Sequence, residues 1–155
     1  LRYTLDQDLQ QKLPLKRELE VLNLYLQIEK MRFEDRLLLE VDVDAAAEQA
    51  LVPSLILQPL VENSIKYAVS RSERGCRLGI RASVHDRWLE LELTDDGPGS
   101  PAFAPGAPEP GGVGLRNTRE RLRTLYGEQQ RFCADNRPEG GVRIRITLPL
   151  EFAPA

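Results

Sequence analysis

The sequence predicts a two-layer α/β sandwich: a mixed, mostly antiparallel sheet with helices on one face, preceded by an N-terminal helix. Three observations lead there. Apolar residues recur at helical spacing in three stretches, within residues 15–33, 52–69 and 115–126. Strict apolar–polar alternation marks strands within 37–43, 76–84, 89–93, 131–134 and 142–148. Turn residues join the last four strands into two hairpins, and helices separated by antiparallel strands stack as two layers.

Each element has its own reason. Leu15, Leu19, Leu22, Leu26 and Phe33 form one apolar stripe on the first helix, and Val21, Leu24, Ile28 and Met31 form a second. A helix with two apolar faces needs cover on two sides, from the domain that follows and from a further helix or a second copy of the chain. Leu37, Leu39, Val41 and Val43 alternate with Leu38, Glu40 and Asp42 as a strand. Helical spacing resumes from Val52 to Val69, with Pro59 bending the helix or marking its first turn. Cys76, Leu78, Ile80, Ala82 and Val84 share one strand face, and Leu89, Leu91 and Leu93 another, across a tight His85-Asp86-Arg87 connection. Between Gly97 and Gly112, five prolines alternate with Gly, Ala and Ser, which predicts a long mobile loop. A basic amphipathic helix from Leu115 to Tyr126 stops at Gly127. A strand near Arg131–Ala134, a Gly140-Gly141 turn and alternating Val142, Ile144, Ile146 and Leu148 complete the chain.

Composition narrows the function. The chain has 155 residues, enough for one domain with a core, and 41% apolar residues, a globular balance. Its 21 basic and 24 acidic residues leave a net charge of −3, which excludes a general nucleic-acid binder. The two cysteines, Cys76 and Cys133, are expected to be buried and reduced. No apolar run is long enough to span a bilayer. The start at Leu1, in helix-like sequence, reads as a piece of something longer.

Three segments carry chemistry. Asn63, Lys66 and Tyr67 fall at i, i+3 and i+4 on a helix, so an amide oxygen, an ammonium and a phenol share one patch. Such a patch suits Mg²⁺ with phosphates, Asn63 being the metal-ligand candidate. A solvated face with Glu62 pairing Lys66 is the plainer alternative. Asp95, at a strand end before Gly97 and Gly99, offers a carboxylate to an exocyclic amine, with glycines that admit a flat ring. Gly112, Val113, Gly114 and Leu115 open a helix whose free N–H groups and positive dipole end form a phosphate cradle.

Taken together and in this order, the segments resemble the ATP-binding domain of histidine kinases. That domain belongs to the GHKL (Bergerat-fold) superfamily with gyrase B, the MutL mismatch-repair proteins and the ninety-kilodalton heat-shock chaperone. The run Glu62-Asn63-Ser64-Ile65-Lys66-Tyr67 looks like the N box, Asp95-Asp96-Gly97-Pro98-Gly99 like the G1 box, and Gly112-Val113-Gly114-Leu115 like the G2 box. The LytS-type sensor kinases are similar over nearly the whole chain, through Tyr25-Leu26-Gln27-Ile28-Glu29, Arg32-Phe33, Leu57-Gln58-Pro59-Leu60-Val61-Glu62-Asn63 and Gly114-Leu115-Arg116-Asn117-Thr118-Arg119-Glu120-Arg121-Leu122.

The resemblance implies a Bergerat-type sandwich over residues 36–152 with an ATP lid at 97–112, and residues 1–35 as the end of the dimerisation and phosphoacceptor region. It implies Mg²⁺ held by Asn63, the adenine amine bound by Asp95, the base lined by Gly97 and Gly99, and phosphates cradled by Gly112, Val113, Gly114 and Leu115. Lys66 would neutralise phosphate charge, while Tyr67 would pack beside the nucleotide or fill core. It also implies ATP as cofactor, a histidine acceptor upstream, a response regulator and a homodimer as partners, and a cytoplasmic place beneath a membrane-bound sensor. Pro59 stands four residues before Asn63, where hydrolytic relatives carry an acidic base; Glu62, the catalytic candidate, points about 100° away from Asn63. His85 is expected to be an exposed turn residue. The alternatives are an ATPase switch of repair, chaperone or anti-sigma type, and a degenerate nucleotide-binding interaction module.

Overall fold

The structure, a computed structural model, describes residues 11–70, 72–100 and 112–154, with side chains in the last stretch from Leu115 onward. Its elements are β1 (Lys12–Pro14), α1 (Leu15–Phe33), β2 (Leu37–Val43), β3 (Leu51–Pro53), α2 (Gln58–Ser64), β4 (Cys76–His85), β5 (Trp88–Asp95), α3 (Gly112–Tyr126), β6 (Arg131–Asn136) and β7 (Val142–Pro149). Five strands form the main sheet in the order β2-β4-β5-β7-β6. The pair β2–β4 is parallel and the other three pairs are antiparallel. A parallel pair needs a long crossover, and residues 44–75, which contain β3 and α2, supply it.

Alternation decides the two faces of the sheet. Leu78, Ile80, Ala82, Leu89, Leu91, Leu93, Ile144, Ile146 and Leu148 are buried in one cluster with Leu15, Leu22 and Leu26 of α1, Leu60, Val61 and Ile65 of the α2 segment, and Leu115 and Leu122 of α3. The opposite face carries cross-strand ion pairs: Arg77–Glu40 at 3.4 Å, Arg81–Asp42 at 3.8 Å, Arg145–Glu92 at 3.2 Å and Arg143–Asp135 at 3.7 Å. Exposed pairs of this kind add little stability, but they keep that face wet. Cys133 lies between Phe132 and Ala134 and faces outward, so it is exposed. The expectation that both cysteines are buried therefore holds only for Cys76, whose thiol burial pushes up to about 12.

Two further expectations are corrected. The stretch expected to be helical from Val52 begins as strand β3, then a turn, and becomes helical only at Gln58, with Pro59 in the first turn, where its missing N–H costs nothing. Past Ser64 the helix widens into a π turn over Ile65–Val69, with Ser70 N–H bonding the Ile65 carbonyl at 3.0 Å. The 3.6-residue spacing assumed for Asn63, Lys66 and Tyr67 therefore does not persist through the second half of that motif. Strands β1 and β3 are three-residue segments ending in or paired to prolines, too short for periodicity to reveal. Their pairing sets the start of α1 beside the approach to α2, and Leu15 N–H bonds the Ala50 carbonyl at 2.8 Å.

Helix α1 shows both of its apolar stripes, unequally. Leu15, Leu22, Leu26 and Phe33 are buried, whereas Leu24 is 69% exposed, Ile28 66% and Met31 81%. Leu22→Ala should cost about 2–5 kcal/mol, the range for a cavity in a packed core. Leu24→Ala should change stability by less than about 0.5 kcal/mol. Urea unfolding of both variants checks this; a comparable loss at Leu24 would mean that the outer stripe is covered in solution.

Candidate functional site

The site is built where β5 ends. Asp95, the last residue of that strand, is 4% exposed. Its Oδ1 accepts the Gly97 N–H at 3.0 Å and the Val142 N–H at 3.2 Å. Both bonds go to Oδ1, which leaves Oδ2 as the oxygen able to meet an incoming amine. Burial raises the Asp95 pKa above the ordinary carboxylate range, the two backbone bonds oppose that, nearby Asp96 adds to it and Arg137 opposes it. Asp96 does something different. Its Oδ1 accepts the Arg77 N–H at 2.6 Å and its own N–H bonds the Arg77 carbonyl at 3.2 Å, which extends the β4–β5 ladder by one step.

Glycines bring the elements together. A Cβ at Gly97 would lie 2.7 Å from the Ala68 Cβ, so the turn after β5 is pressed against the helical segment that carries Asn63. Gly99 adopts φ +79°, a left-handed conformation that favours glycine. Asn63 is half-buried in α2, Lys66 and Tyr67 are exposed in the π turn, and the Lys66 ammonium stands 5.2 Å over the Tyr67 ring. At 47% exposure Tyr67 is not core. Gly112, Val113 and Gly114 open α3, and Leu115 is buried. Helix α2 packs against both α3 and β5. The second predicted segment thus packs on the helical stretch that carries the first, and the third opens a helix that packs against α2. The lid expected at 97–112 falls for residues 101–111 outside the described residues.

Several residues of this neighbourhood escaped sequence reasoning. Gly141, read only as half of a turn, has φ +91°, and a Cβ there would sit 1.9 Å from the Asp95 carbonyl oxygen. Arg137 donates from Nη1 to that same carbonyl at 2.9 Å. The Asn136 side chain bonds both backbone groups of Ser100, accepting its N–H at 2.8 Å and donating to its carbonyl at 2.9 Å. The Gly140-Gly141 doublet was the one available signal.

Among the described residues no group of three or more His, Cys, Asp or Glu side chains is arranged to hold a metal. A divalent ion here would need the phosphates and waters as most of its ligands, with one Asn63 oxygen, a donor set that Mg²⁺ accepts. Glu62 is exposed and accepts a hydrogen bond from Gln58 Nε2 at 3.2 Å. His85 is exposed at the end of β4, its Nε2 lying 3.1 Å from Ser83 Oγ.

Comparison with known proteins follows the same lines. Residues 49–152 match the family described as histidine kinase-, DNA gyrase B-, and HSP90-like ATPase, and residues 1–37 match a histidine kinase family. The chain is 34% identical over 87% of its length to the sensor histidine kinase YesM of Bacillus subtilis, covering 23% of that protein. It is 33% identical over 85% of its length to the sensor histidine kinase BtsS of Escherichia coli, again covering 23% of it. Against the sensor protein LytS of Enterococcus faecalis, identity is 33% over 90% of the chain and 25% of that protein. The chain thus spans about a quarter of the length of these relatives. Among solved structures, the catalytic domain of histidine kinase ThkA superposes with TM-score 0.68 at 16% identity, over 90% of this chain and 96% of that one. The mycobacterial sensor histidine kinase MprB gives 0.62 at 21% identity, over 92% and 99%. At those identities the likeness establishes the fold.

The raised Asp95 pKa has a consequence for stability. The folded state keeps the proton to higher pH than the unfolded chain does. Its contribution is therefore greatest in acid and is lost as pH rises from the ordinary carboxylate range through the raised folded value. Asp95→Asn keeps an oxygen for Gly97 and Val142 without the buried charge. It should melt above the wild type at about pH 7, with the gap shrinking toward about pH 4. Thermal melts at the two pH values check this. A lower melting point for the variant near pH 7 would show that the ionised carboxylate's backbone bonds outweigh its burial cost.

Proposed function

The chain belongs to the histidine kinase-, DNA gyrase B- and HSP90-like ATPase family, and from that premise we propose that it is the ATP-binding catalytic domain of a sensor histidine kinase in a two-component system. The observation that carries the reading is the buried Asp95 carboxylate, with its glycine turn packed on the helical segment of Asn63. A carboxylate oxygen at a strand end accepts from the adenine amino group and repels a guanine carbonyl. Gly97 and Gly99 let backbone approach the ring. The N–H groups that open α3, at Gly112, Val113 and Gly114, meet the phosphates at the positive end of the helix dipole, while buried Leu115 anchors that turn in the core. Asn63 would hold Mg²⁺, whose charge balances that on the phosphates. Lys66 adds a mobile positive charge at the rim, with Tyr67 beside it.

In the proposed reaction the γ-phosphoryl group passes to a neutral imidazole nitrogen. A P–N bond forms as the bond from phosphorus to the bridging oxygen breaks, ADP leaves and the imidazole gives up its N–H proton. The nucleophile is already competent, so the domain's work is positioning and charge stabilisation. That agrees with Pro59 in the place of a hydrolytic base and with Glu62 exposed and engaged by Gln58. The same feature disfavours an ATPase switch.

The acceptor histidine would lie in the parent protein, upstream of this chain. Residues 1–35 would be the end of its dimerisation and phosphoacceptor region, and residues 36–152 the catalytic domain. The exposed outer stripe of α1 fits cover supplied by the rest of the parent. The phosphoryl group would then go to a response regulator, with the parent a homodimer whose catalytic part is cytoplasmic. Among the described residues no helix is long and apolar enough to cross a membrane.

Calorimetry with ATP and GTP tests the reading. ATP should bind far better, and Asp95→Asn should lose about 1.5–3 kcal/mol of ATP binding, the worth of a charge-assisted hydrogen bond. Equal affinities for the two nucleotides would sink it. Transfer of label from γ-labelled ATP provides a second test. The chain alone should stay unlabelled and should weakly label, in trans, a separate polypeptide carrying the parent's upstream helices. Acid-labile label on this chain that disappears in His85→Ala would move the acceptor to His85.

A further inference from the structure

One acid is buried where the apolar pattern called for a hydrocarbon. Glu18 sits in the first turn of α1, on the stripe of Leu15 and Leu22, and is 2% exposed. Its Oε2 accepts the Leu55 N–H at 3.0 Å and its Oε1 the Leu57 N–H at 3.3 Å, with Ile56 between them. These three residues are the last before α2, a helix that has no side-chain cap of its own. The amide of Leu57, the N-cap residue of α2, and that of Leu55 in the turn before it are met by a carboxylate from another helix. Leu55 has φ +57°, a left-handed conformation that a leucine rarely adopts. It persists only where the surroundings hold it, and the Glu18 bond to its N–H is such a hold. On the far side of the same turn, Arg121 of α3 donates from Nη2 to the Ser54 carbonyl, and its charge acts on Glu18. An acid on α1 and a base on α3 thus grip residues 54–57 between them.

We propose that Glu18 is a positioning residue for the nucleotide site: gripping the start of α2, with Arg121 across the same turn, it sets where Asn63 stands relative to the first turn of α3. The proposal rests on the ATP reading above and deepens it. Asn63 lies six residues beyond Leu57 on a short, stiff helix, so a shift or tilt at the start of α2 moves the amide that would meet the metal. Arg121 lies six residues beyond Leu115, so the same turn also locates the helix whose N–H groups would meet the phosphates. The adenine end is built from β5 and the β6–β7 turn, to which Glu18 makes no bond among those described. The device therefore acts on the phosphate end alone.

That asymmetry supplies the test. Glu18→Gln keeps the shape and one oxygen but loses the charge that holds two amides. Binding of Mg-ATP and of adenosine is measured on the whole chain, the first by calorimetry and the second by ligand-observed NMR, with circular dichroism to follow the fold. Wild type should bind both. Glu18→Gln should lose about tenfold in Mg-ATP affinity, with adenosine within about twofold. Adding Leu55→Gly, which removes the side chain from the left-handed position, should recover part of the loss. Unchanged Mg-ATP affinity, or equal losses for both ligands, would overturn the positioning role while leaving the ATP reading intact. No binding of either ligand by the wild type would instead remove the ATP reading, and this proposal with it. If Glu18→Gln does not fold, Arg121→Lys decides: it keeps a charge near Glu18 without the guanidinium geometry, and the same split between ligands is expected. A uniform loss or none would count against the role.

Discussion

The end of β5 is the constraint on which the rest of the molecule turns. There one carboxylate oxygen takes two backbone N–H groups, from the residue two ahead and from the first residue of β7. The strand's last carbonyl accepts from Arg137 and leaves no room for a side chain at Gly141. The turn after β5 is therefore fixed from three directions: by its own strand, by the β6–β7 hairpin and by the helical segment against which Gly97 packs. A carboxylate buried in this way opposes folding near neutral pH. A purely structural turn would do better with asparagine. On the proposed reading, the charge is what a ligand amine would meet, and the surrounding glycines would let a flat ring approach.

The two faces of the sheet are as different as their sequences allow. The covered face is hydrocarbon across most of β4, β5 and β7, and the helices sit on it. The open face is laced with ion pairs and has a shallow depression near Asp42, Asp44, Glu90 and Glu92. Arg81 lines that depression too and pairs with Asp42, and Arg145 pairs with Glu92, so much of the charge there is balanced within the face.

Much of this was legible in the residues. The five long strands, their hairpins, the amphipathic α3 and the two-striped α1 follow from periodicity because each is long enough to show a period. Asp95, Gly97 and Gly99 stood out as an acid and glycines directly after an alternating run. What escaped has a common cause. Strands β1 and β3 are three residues long and survive on each other's hydrogen bonds, which no local pattern encodes. The π turn, closed by the Ser70 N–H on the Ile65 carbonyl, has no signature in the apolar spacing. Gly141 and Arg137 matter through a strand 42 or more positions away. Glu18 did leave a trace, as a lone acid on an apolar stripe, but its partners at 55 and 57 are brought to it by the fold. Cys133 departs from expectation because its place in the alternation, not the average burial of its residue type, decides which way it faces.

These connections join two sets of elements at the proposed site. The half proposed for adenine belongs to the sheet, where Asp95, Gly97 and Gly141 are held by hydrogen bonds and close backbone approach. The half proposed for the phosphates belongs to helices. Asn63 rides on a seven-residue helix that ends in a π turn, and the glycine turn opens α3 just after the residues expected to form the lid. Gly97 against Ala68 is where the halves touch. On the proposed reading the sheet holds the base, while the phosphate end, carried by helices, would face an acceptor from another part of the parent. Transfer to such an acceptor needs no base built into the pocket, and Pro59, which cannot take a proton, stands about one helical turn before Asn63.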